Sequence, residues 1–340
     1  MLRSPRCAMG NGEVLLRVEN LKKYFPLRAG VFKKVVGWIR AVDGVSFEVF
    51  SGETLGIVGE SGCGKSTLGM TILRLLEPTE GRIFFAGQDI TKLPPAKLRP
   101  IRKDMQMIFQ DPFSSLNPRM TVQAILEEGL RVHRVVPRDT MRKEVEMLLE
   151  RVGLSRDYVR RFPHEFSGGQ RQRISIARAI ALRPRLVIAD EALSSLDVSV
   201  RAQVLDLLQE LKKEYSLTYL FISHDLALVR QISHRILVMY LGKVVELAPK
   251  EAFFARPLHP YSVALISAVP IPDPDVRKVR IILSGDVPSP LQPPPGCRFH
   301  TRCPRAQEIC AMVEPSLLEV EPGHFVACHF PGCLTLEEAS

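Results

Sequence analysis

The sequence predicts an α/β fold with a mostly parallel sheet, an antiparallel β subdomain, an inserted α-helical subdomain and a C-terminal tail rich in proline and cysteine. Three observations lead to this prediction. Short apolar runs typical of buried parallel strands alternate with helix-like stretches. A charged segment with helical spacing, from about Met120 to Phe162, interrupts this alternation. After about residue 249 proline becomes dense, which marks a loop-rich region of different character.

Each strand is predicted from its local pattern. Alternating apolar and polar residues indicate a half-buried strand, and short uninterrupted apolar runs indicate strands buried on both faces. The predicted strands are Val14–Val18, Val45–Val49, Thr54–Val58, Gly81–Phe85, Leu186–Ala189, Thr218–Ile222, Arg235–Met239 and Val244–Leu247. The last two flank Leu241-Gly242-Lys243, a predicted hairpin turn. Leu27–Arg40 is predicted to be a basic insertion between the first two strands.

The bulk composition indicates a globular protein with a sizeable core, since 46% of the 340 residues are hydrophobic. The net charge of +9 favours acidic partners such as nucleotides, nucleic acid or an anionic membrane face, although a basic soluble surface is the plainer interpretation. No stretch approaches the about 18 apolar residues of a spanning helix, and 1–11 lacks a secretory signal's apolar region. We therefore expect a cytosolic protein whose cysteines stay reduced or bind metal.

A glycine-rich loop follows the third predicted strand and opens a helix-like stretch, Ser66–Leu76. Its residues are Gly59, Glu60, Ser61, Gly62, Cys63, Gly64, Lys65, Ser66 and Thr67. Consecutive backbone N–H groups and a helix N-terminus can surround a triphosphate only where no Cβ intrudes, which explains the glycines. We expect Lys65 to supply a charge to the β and γ phosphates of a bound triphosphate and Ser66 to ligate Mg²⁺. The alternative is a glycine-rich turn that matches by chance.

An acidic pair ends another predicted strand. Asp190 and Glu191 follow Leu186–Ala189, and the carboxyl end of a parallel strand beside a phosphate loop is where a Mg²⁺ partner belongs. Asp190 is expected to hold the metal through water, and Glu191 to orient and deprotonate the attacking water as general base. Without the phosphate loop, the pair would be interpreted as capping acids after a strand.

A second glycine-containing segment precedes the helix-like run Arg171–Leu182. It reads Phe166, Ser167, Gly168, Gly169 and Gln170. Small residues at a helix N-terminus can form a phosphate-binding surface, and an ordinary helix start capped by Ser167 is the alternative. One chain thus carries two predicted anion sites far apart in sequence.

These motifs make the chain resemble the ATP-binding-cassette (ABC) family over most of its length. Ser167 to Gln170 resemble the family signature, with Phe166 where leucine is usual, and Ser195-Leu196-Asp197 resembles the D-loop. Ala192-Leu193 replaces a common Pro-Thr and Ser195 a common alanine, and neither change removes a catalytic group. The resemblance implies a P-loop NTPase core that hydrolyses ATP with Mg²⁺.

Three further residues take family roles through this resemblance. Gln110 resembles the Q-loop residue that contacts Mg²⁺ and the water and senses the transmembrane partner. His224 resembles the switch histidine that contacts the γ-phosphate and helps to fix the catalytic glutamate. Tyr24 is placed like the aromatic residue that stacks on adenine, and Phe25 is its competitor. With Glu191, the expected catalytic residues are therefore Gln110 and His224.

The resemblance also implies partners. Two such ATPase subunits, identical or different, pair head to tail, so that the phosphate loop of one and the signature of the other enclose each ATP. The pair drives two transmembrane permease subunits from the cytoplasmic face of the membrane and acts indirectly with an extracytoplasmic peptide-binding protein. No nucleic-acid partner is expected.

The C-terminal part resembles the oligopeptide/dipeptide importer ATPases, and most of all their second, F-type, subunit. The resemblance rests on 111–119, on the run from His259-Pro260-Tyr261 to Pro270, and on 296–304. It implies an ABC ATPase domain over 13–250, with its helical subdomain at about 112–165, and an oligopeptide/dipeptide transporter C-terminal region over 251–340. A nickel importer uses a close relative, and a soluble cassette ATPase acting on ribosomes or DNA is a rival of another class.

Four cysteines in the tail, Cys297, Cys303, Cys310 and Cys328, form a candidate metal site, with Cys333 as a spare or alternative ligand. Four thiolates suit an iron–sulfur cluster or Zn²⁺, but the spacing matches no common zinc pair. The resemblance implies a 4Fe–4S cluster for some family members. Reduced cysteines that only pack are the alternative.

Overall fold

The computed structural model describes residues 12–30, 33–111, 115–269 and 281–334. The predicted motif residues Pro112, Phe113, Ser114 and Pro270 lie outside these ranges. The chain divides into two compact units. The first comprises 1–50, 54–91 and 224–340, and the second comprises 51–53 and 92–223. Each is described by itself below, and the sequence-based domain boundary near residue 250 stays a prediction.

The described residues form twelve strands. They are β1 Val14–Ala29, β2 Lys34–Phe50, β3 Thr54–Val58, β4 Glu80–Phe85, β5 Gln88–Asp89, β6 Met105–Ile108, β7 Leu186–Asp190, β8 Thr218–Ile222, β9 Arg235–Tyr240, β10 Lys243–Pro249, β11 Leu318–Glu321 and β12 His324–Val326. All eight predicted strands are present, which confirms the sequence patterns on which they were based.

The described α-helices connect these strands. They are α1 Lys65–Ile72, α2 Pro95–Arg102, α3 Val122–His133, α4 Met141–Arg151, α5 Gly168–Ile180, α6 Val198–Tyr215, α7 Leu226–Ile232, α8 Lys250–Ala255, α9 Pro260–Ser267 and α10 Glu308–Met312. Short 3-10 helices lie at Arg156–Arg160, Pro163–Glu165 and His300–Arg302.

The first unit contains an antiparallel sheet in the order β2-β1-β4-β5. β1 and β2 are much longer than predicted, because residues 27–29 continue β1 and residues 34–40 belong to β2, with Pro26 paired to Trp38 and Leu27 to Gly37. The exposed charged residues of these segments hid the strand pattern in the sequence. Eight apolar side chains of the two strands are fully buried, namely Leu15, Leu16, Val18, Leu21, Val42, Val45, Phe47 and Val49.

The first unit also contains a mixed sheet that carries the phosphate loop. β3 runs parallel to β9, and β9 pairs antiparallel with β10. The β9–β10 turn consists of Leu241 and Gly242, with φ of 44° and 78°, which is the left-handed geometry of a two-residue hairpin. The predicted hairpin is therefore confirmed.

The second unit has a three-stranded parallel sheet in the order β8-β7-β6. β7 and β8 are buried along their whole lengths, as their uninterrupted apolar runs predict. The inserted helical segment contains α3 and α4, whose buried faces are apolar. With the first unit, these elements confirm the predicted α/β class.

The C-terminal region extends the sheet of the first unit. β12 pairs with β10, and β11 pairs with β12. Next to this pairing, the fully buried Glu246 accepts hydrogen bonds from the backbone N–H groups of Leu258 and His259, both at 2.9 Å. Its carboxylate also lies 2.6 Å from Nε2 of His324, which is 1% exposed. Glu246 thus connects β10, the segment before α9, and β12.

Replacing His324 with Ala should lower the free energy of unfolding by about 3 kcal/mol, because it leaves a buried carboxylate without its charged or proton-donating partner. Denaturant unfolding measures this change. His164→Ala, at an exposed histidine, is the control and should change stability by less than about 0.5 kcal/mol. Equal stability of the two variants would contradict the proposed importance of the Glu246 connection.

Acid should weaken the fold through His259. Burial lowers its pKa to about 4, and its Nδ1 accepts the Tyr261 N–H at 3.1 Å, which requires the unprotonated atom. As the pH falls from about 6.5 towards 4, His259 binds a proton in the unfolded chain but not in the folded chain. The stability present above about pH 6.5 is therefore lost over this range. His259→Asn keeps an N-cap without titrating, and urea unfolding between pH 4 and 7 should show a shallower slope for it. If the slope of stability against pH were unchanged in His259→Asn, titration of His259 would not be the cause of the acid sensitivity.

Candidate functional site

The phosphate loop spans 59–67 in the first unit; residues 59–64 connect β3 to α1, and residues 65–67 form the start of α1. Two of its glycines are required by close backbone contacts. A Cβ on Gly59 (φ 150°) would lie 2.2 Å from the carbonyl oxygen of Met239, and one on Gly64 (φ 106°) would lie 2.0 Å from that of Ala41. Gly62 (φ 79°) has no atom within 4 Å of such a Cβ, so its side of the loop is open. The loop therefore has the bare, open backbone that a triphosphate needs.

Lys65 begins α1 and is only 4% exposed. Its Nζ donates to the carbonyl oxygens of Gly59 at 2.8 Å and Glu60 at 3.0 Å, so the ammonium group lies over the loop. Ser66 lies in the first turn of α1, where backbone N–H groups have no acceptor within the helix. Burial raises the pKa of the Cys63 thiol, which fits a packing role. Loop and helix together place N–H groups and an ammonium group on one side of the loop, which is the arrangement that an anionic phosphate chain requires.

In the second unit, β7 ends at Asp190, which is 5% exposed, and Glu191 follows. Glu191 has a φ of 43°, an uncommon conformation for this residue type, and its N–H donates to the carbonyl oxygen of Ile222 at 2.9 Å. Nε2 of Gln110, just after β6, donates to Oε2 of Glu191 at 2.9 Å. The structure thus brings together two of the three predicted catalytic residues, Gln110 and Glu191.

The signature segment starts α5 in the second unit. Oγ of Ser167 accepts the Gln170 N–H at 3.3 Å, and Oε1 of Gln170 accepts the Ser167 N–H at 3.1 Å. This reciprocal cap fixes the helix start. A Cβ on Gly169 would lie 2.5 Å from Cγ1 of Val200. Phe166, which replaces the usual leucine, is 4% exposed and packs edge-on against Tyr158.

His224 and Tyr24 belong to the first unit. His224 is exposed, and the following Asp225 caps α7. Tyr24 donates its hydroxyl to Asp43, whose other oxygen accepts from Arg298. Tyr24, Asp43 and Arg298 line a cleft of about 610 Å³ whose lining includes no residue of the phosphate loop. Strand alternation places Phe25 on the opposite face of β1 from Tyr24. The adenine role of Tyr24 stays a prediction, and Phe25 stays its alternative.

The Tyr24 cluster has a definite charge distribution. Burial alone would raise the pKa of Asp43, but the hydrogen bond from Tyr24 and the charge of Arg298 lower it overall. Burial, reinforced by Asp43, raises the pKa of the Tyr24 hydroxyl, so that Tyr24 stays the proton donor. Through Arg298, this cluster joins β1 and β2 to the C-terminal region.

Comparison with known proteins matches the chain to two family models. Residues 42–194 match the ABC transporter model, and residues 245–310 match the model "Oligopeptide/dipeptide transporter, C-terminal region". The oligopeptide transport ATP-binding protein AppF of Bacillus subtilis (strain 168) is 56% identical over 94% of this chain and 98% of its own length. The chain belongs to the ABC transporter family.

Other similarities support this family membership. A probable peptide ABC transporter ATP-binding protein of Sinorhizobium fredii is 52% identical to this ABC ATPase over 93% of the chain and 90% of its own length. Among solved structures, the dimeric ATP-binding cassette MJ0796 with ADP and Pi superposes with a TM-score of 0.62 at 28% identity, covering 69% of this chain and 99% of that one. In the described part of the ABC ATPase, no helix is long and apolar enough to cross a membrane.

The tail cysteines of this ABC ATPase share one small cavity. Its lining includes Cys297, Cys303, Cys310, Cys328 and Cys333. Burial raises the pKa of Cys303 to about 11, and a hydrogen bond with Cys333, followed by burial, raises that of Cys328. Within the described ranges, no group of three or more His, Cys, Asp or Glu side chains is arranged to hold a metal ion. The five thiols therefore lie together around one cavity in the first unit.

The sequence patterns missed one set of contacts at the phosphate loop. The hydroxyl of Tyr261 and the guanidinium of Arg302, both from the C-terminal region, bind Glu60. Arg302 and Glu60 are 242 residues apart, so no local pattern could reveal the pair. The only signal in the sequence was that both residues lie in recognisable motifs.

Proposed function

We propose that this ABC ATPase energises the uptake of oligopeptides or dipeptides through partner membrane subunits. The observation that carries this proposal is similarity to proteins named for peptide transport that extends over more than nine tenths of the chain, C-terminal region included. The region that distinguishes the subfamily also packs against the phosphate loop in the first unit.

The proposed roles follow from the chemistry of each side chain and, for His224, from its resemblance to the switch histidine of the family. Lys65 holds the β and γ phosphates, and Ser66 with Asp190 holds Mg²⁺, which when bound neutralises phosphate charge. Glu191 accepts a proton from the attacking water as general base, while Gln110 orients Glu191 by the hydrogen bond seen here. His224 contacts the γ-phosphate.

We propose that the signature residues Ser167 to Gln170 contact the ATP held by a partner subunit. The dimeric form of MJ0796 supports this arrangement by analogy. ATP would favour the closed pair because it binds the closed pair more strongly. Repeated closing and opening of the pair would then shift the two permease subunits between two conformations. The proposed location is the cytoplasmic face of the cell membrane, with an extracytoplasmic peptide-binding protein as an indirect partner.

A membrane pull-down of the tagged chain tests this proposal. We expect two integral membrane subunits and a second ABC ATPase to co-purify, and the reconstituted complex to show peptide-dependent ATP hydrolysis. If Ni²⁺ and not peptides stimulated ATP hydrolysis, the transported substrate would be nickel instead of peptides. Recovery on ribosomes or DNA without membrane subunits would overturn the transport role.

We further propose that Cys297, Cys303, Cys310 and Cys328 hold a 4Fe–4S cluster, with Cys333 as the alternative fourth ligand. The support is the donor set, because five thiols line one cavity and iron–sulfur clusters are held by cysteine thiolates. Anaerobically purified protein should contain iron and sulfide in equal amounts, lost in Cys303→Ser. Zinc in their place, or metal-free folded protein, would contradict the cluster.

A further inference from the structure

Every polar group of Glu60, the second residue of the phosphate loop, has a partner in the first unit. Its N–H donates to the hydroxyl of Tyr261 at 2.8 Å, and its carbonyl oxygen accepts from Lys65 at 3.0 Å. Its carboxylate accepts two hydrogen bonds from Arg302, from Nη1 at 2.7 Å and from Nη2 at 3.1 Å. Two of these partners come from the C-terminal region, so this region holds the loop by both backbone and side chain.

Arg302 is fixed by its surroundings. Its side chain is only 8% exposed, its guanidinium lies 6.0 Å from the centre of the Tyr240 ring, and Nη1 also reaches the Tyr240 hydroxyl at 3.4 Å. Tyr240, Tyr261 and Phe299 pack together with ring centres 4.8–5.3 Å apart. A bidentate, charge-assisted pair in so rigid a setting holds its geometry far better than an exposed ion pair.

The negative charge of Glu60 would oppose anion binding at the loop, and Arg302 neutralises this charge. A phosphate loop must attract a polyanion, and a free carboxylate on the second residue of the loop would repel it. The bidentate pair with Arg302 neutralises that carboxylate and holds it against the C-terminal region. The N–H of Glu60, already bonded to Tyr261, keeps the backbone of the loop entrance fixed at the same time.

We propose that Arg302 is a positioning residue for nucleotide binding, which acts through Glu60 to set the affinity of the phosphate loop for ATP. The C-terminal region is thereby part of the nucleotide site as well as a mark of the subfamily. This inference rests on the proposed role of the phosphate loop, which Lys65→Ala tests separately.

Equilibrium binding of MgATP to the full-length chain tests the inference. Arg302→Met keeps most of the side-chain volume and should weaken MgATP binding by about tenfold, the effect of leaving a charged group unpaired. Adding Glu60→Gln to Arg302→Met should restore most of the lost affinity, because the repelling charge is gone. The penalty of Arg302→Met should also be larger for ATP than for ADP, because ATP carries more charge. Arg302→Lys should keep part of the affinity.

Arg256→Met is the matched control. It breaks an ion pair in the same region, with Glu321 at 2.9 Å, whose partners are largely exposed and do not touch the loop. It should bind MgATP like the parent, and thermal unfolding of each variant checks that it is folded. Unchanged affinity in folded Arg302→Met, or no recovery in the double variant, would overturn the positioning role. If Lys65→Ala bound MgATP like the parent while Arg302→Met still weakened binding, the proposed nucleotide site would be refuted instead.

Discussion

Replacing Glu191 with Gln should lower the turnover of ATP at least about 100-fold while MgATP binding is retained, because a general base contributes about 10²- to 10⁴-fold to a rate. Gln has the size of Glu, and its side-chain oxygen can still accept the hydrogen bond that Gln110 donates at 2.9 Å. The backbone bond from Glu191 N–H to Ile222 does not depend on the side chain. The substitution therefore removes basicity with little change in shape.

Single-turnover hydrolysis and equilibrium nucleotide binding, measured on the same preparation, separate the two effects. Glu210→Gln, at an exposed acid on α6, is the control and should turn over ATP at the parental rate. If Glu191→Gln hydrolysed ATP within about twofold of the parent, the base would have to be another group. If it lost MgATP binding as well, Glu191 would be needed for binding rather than for proton transfer.

Local patterns predicted those features that depend on neighbouring residues. The buried strands β7 and β8, the β9–β10 hairpin, and the start of α5 after Ser167 all follow from short-range rules on apolar runs, turn glycines and caps. The contact between Gln110 and Glu191 was not predicted, because β6, which pairs in parallel with β7, was not among the predicted strands.

Long-range pairs in the C-terminal region could not be predicted in this way. Glu246 and His324 lie 78 residues apart, and Glu60 and Arg302 lie 242 residues apart, so their pairing depends on how β12 and the 3-10 helix at His300–Arg302 dock. The long hairpin of β1 and β2 was missed for a different reason. Its outer half has few buried residues, so the alternation that reveals a half-buried strand is absent there.

Replacing Lys65 with Ala should weaken MgATP binding by about 100-fold and abolish measurable hydrolysis. The expected loss corresponds to about 3 kcal/mol, within the range for removing one partner of a charged, desolvated contact. In the structure, the ammonium group donates hydrogen bonds to the carbonyl oxygens of Gly59 and Glu60, so it lies over the loop where the phosphates are proposed to bind.

Two further variants sharpen this test. Lys97→Ala, at an exposed position in α2, should bind MgATP like the parent. Lys65→Arg keeps the charge, but the planar fork of arginine does not fit a position built for a compact ammonium group, so we expect only a small part of the affinity to return. A folded Lys65→Ala protein that bound and hydrolysed ATP like the parent would show that phosphates do not bind at 59–67. The Arg302 pair would then be a structural connection alone, because the loop that it holds would have no anion to receive.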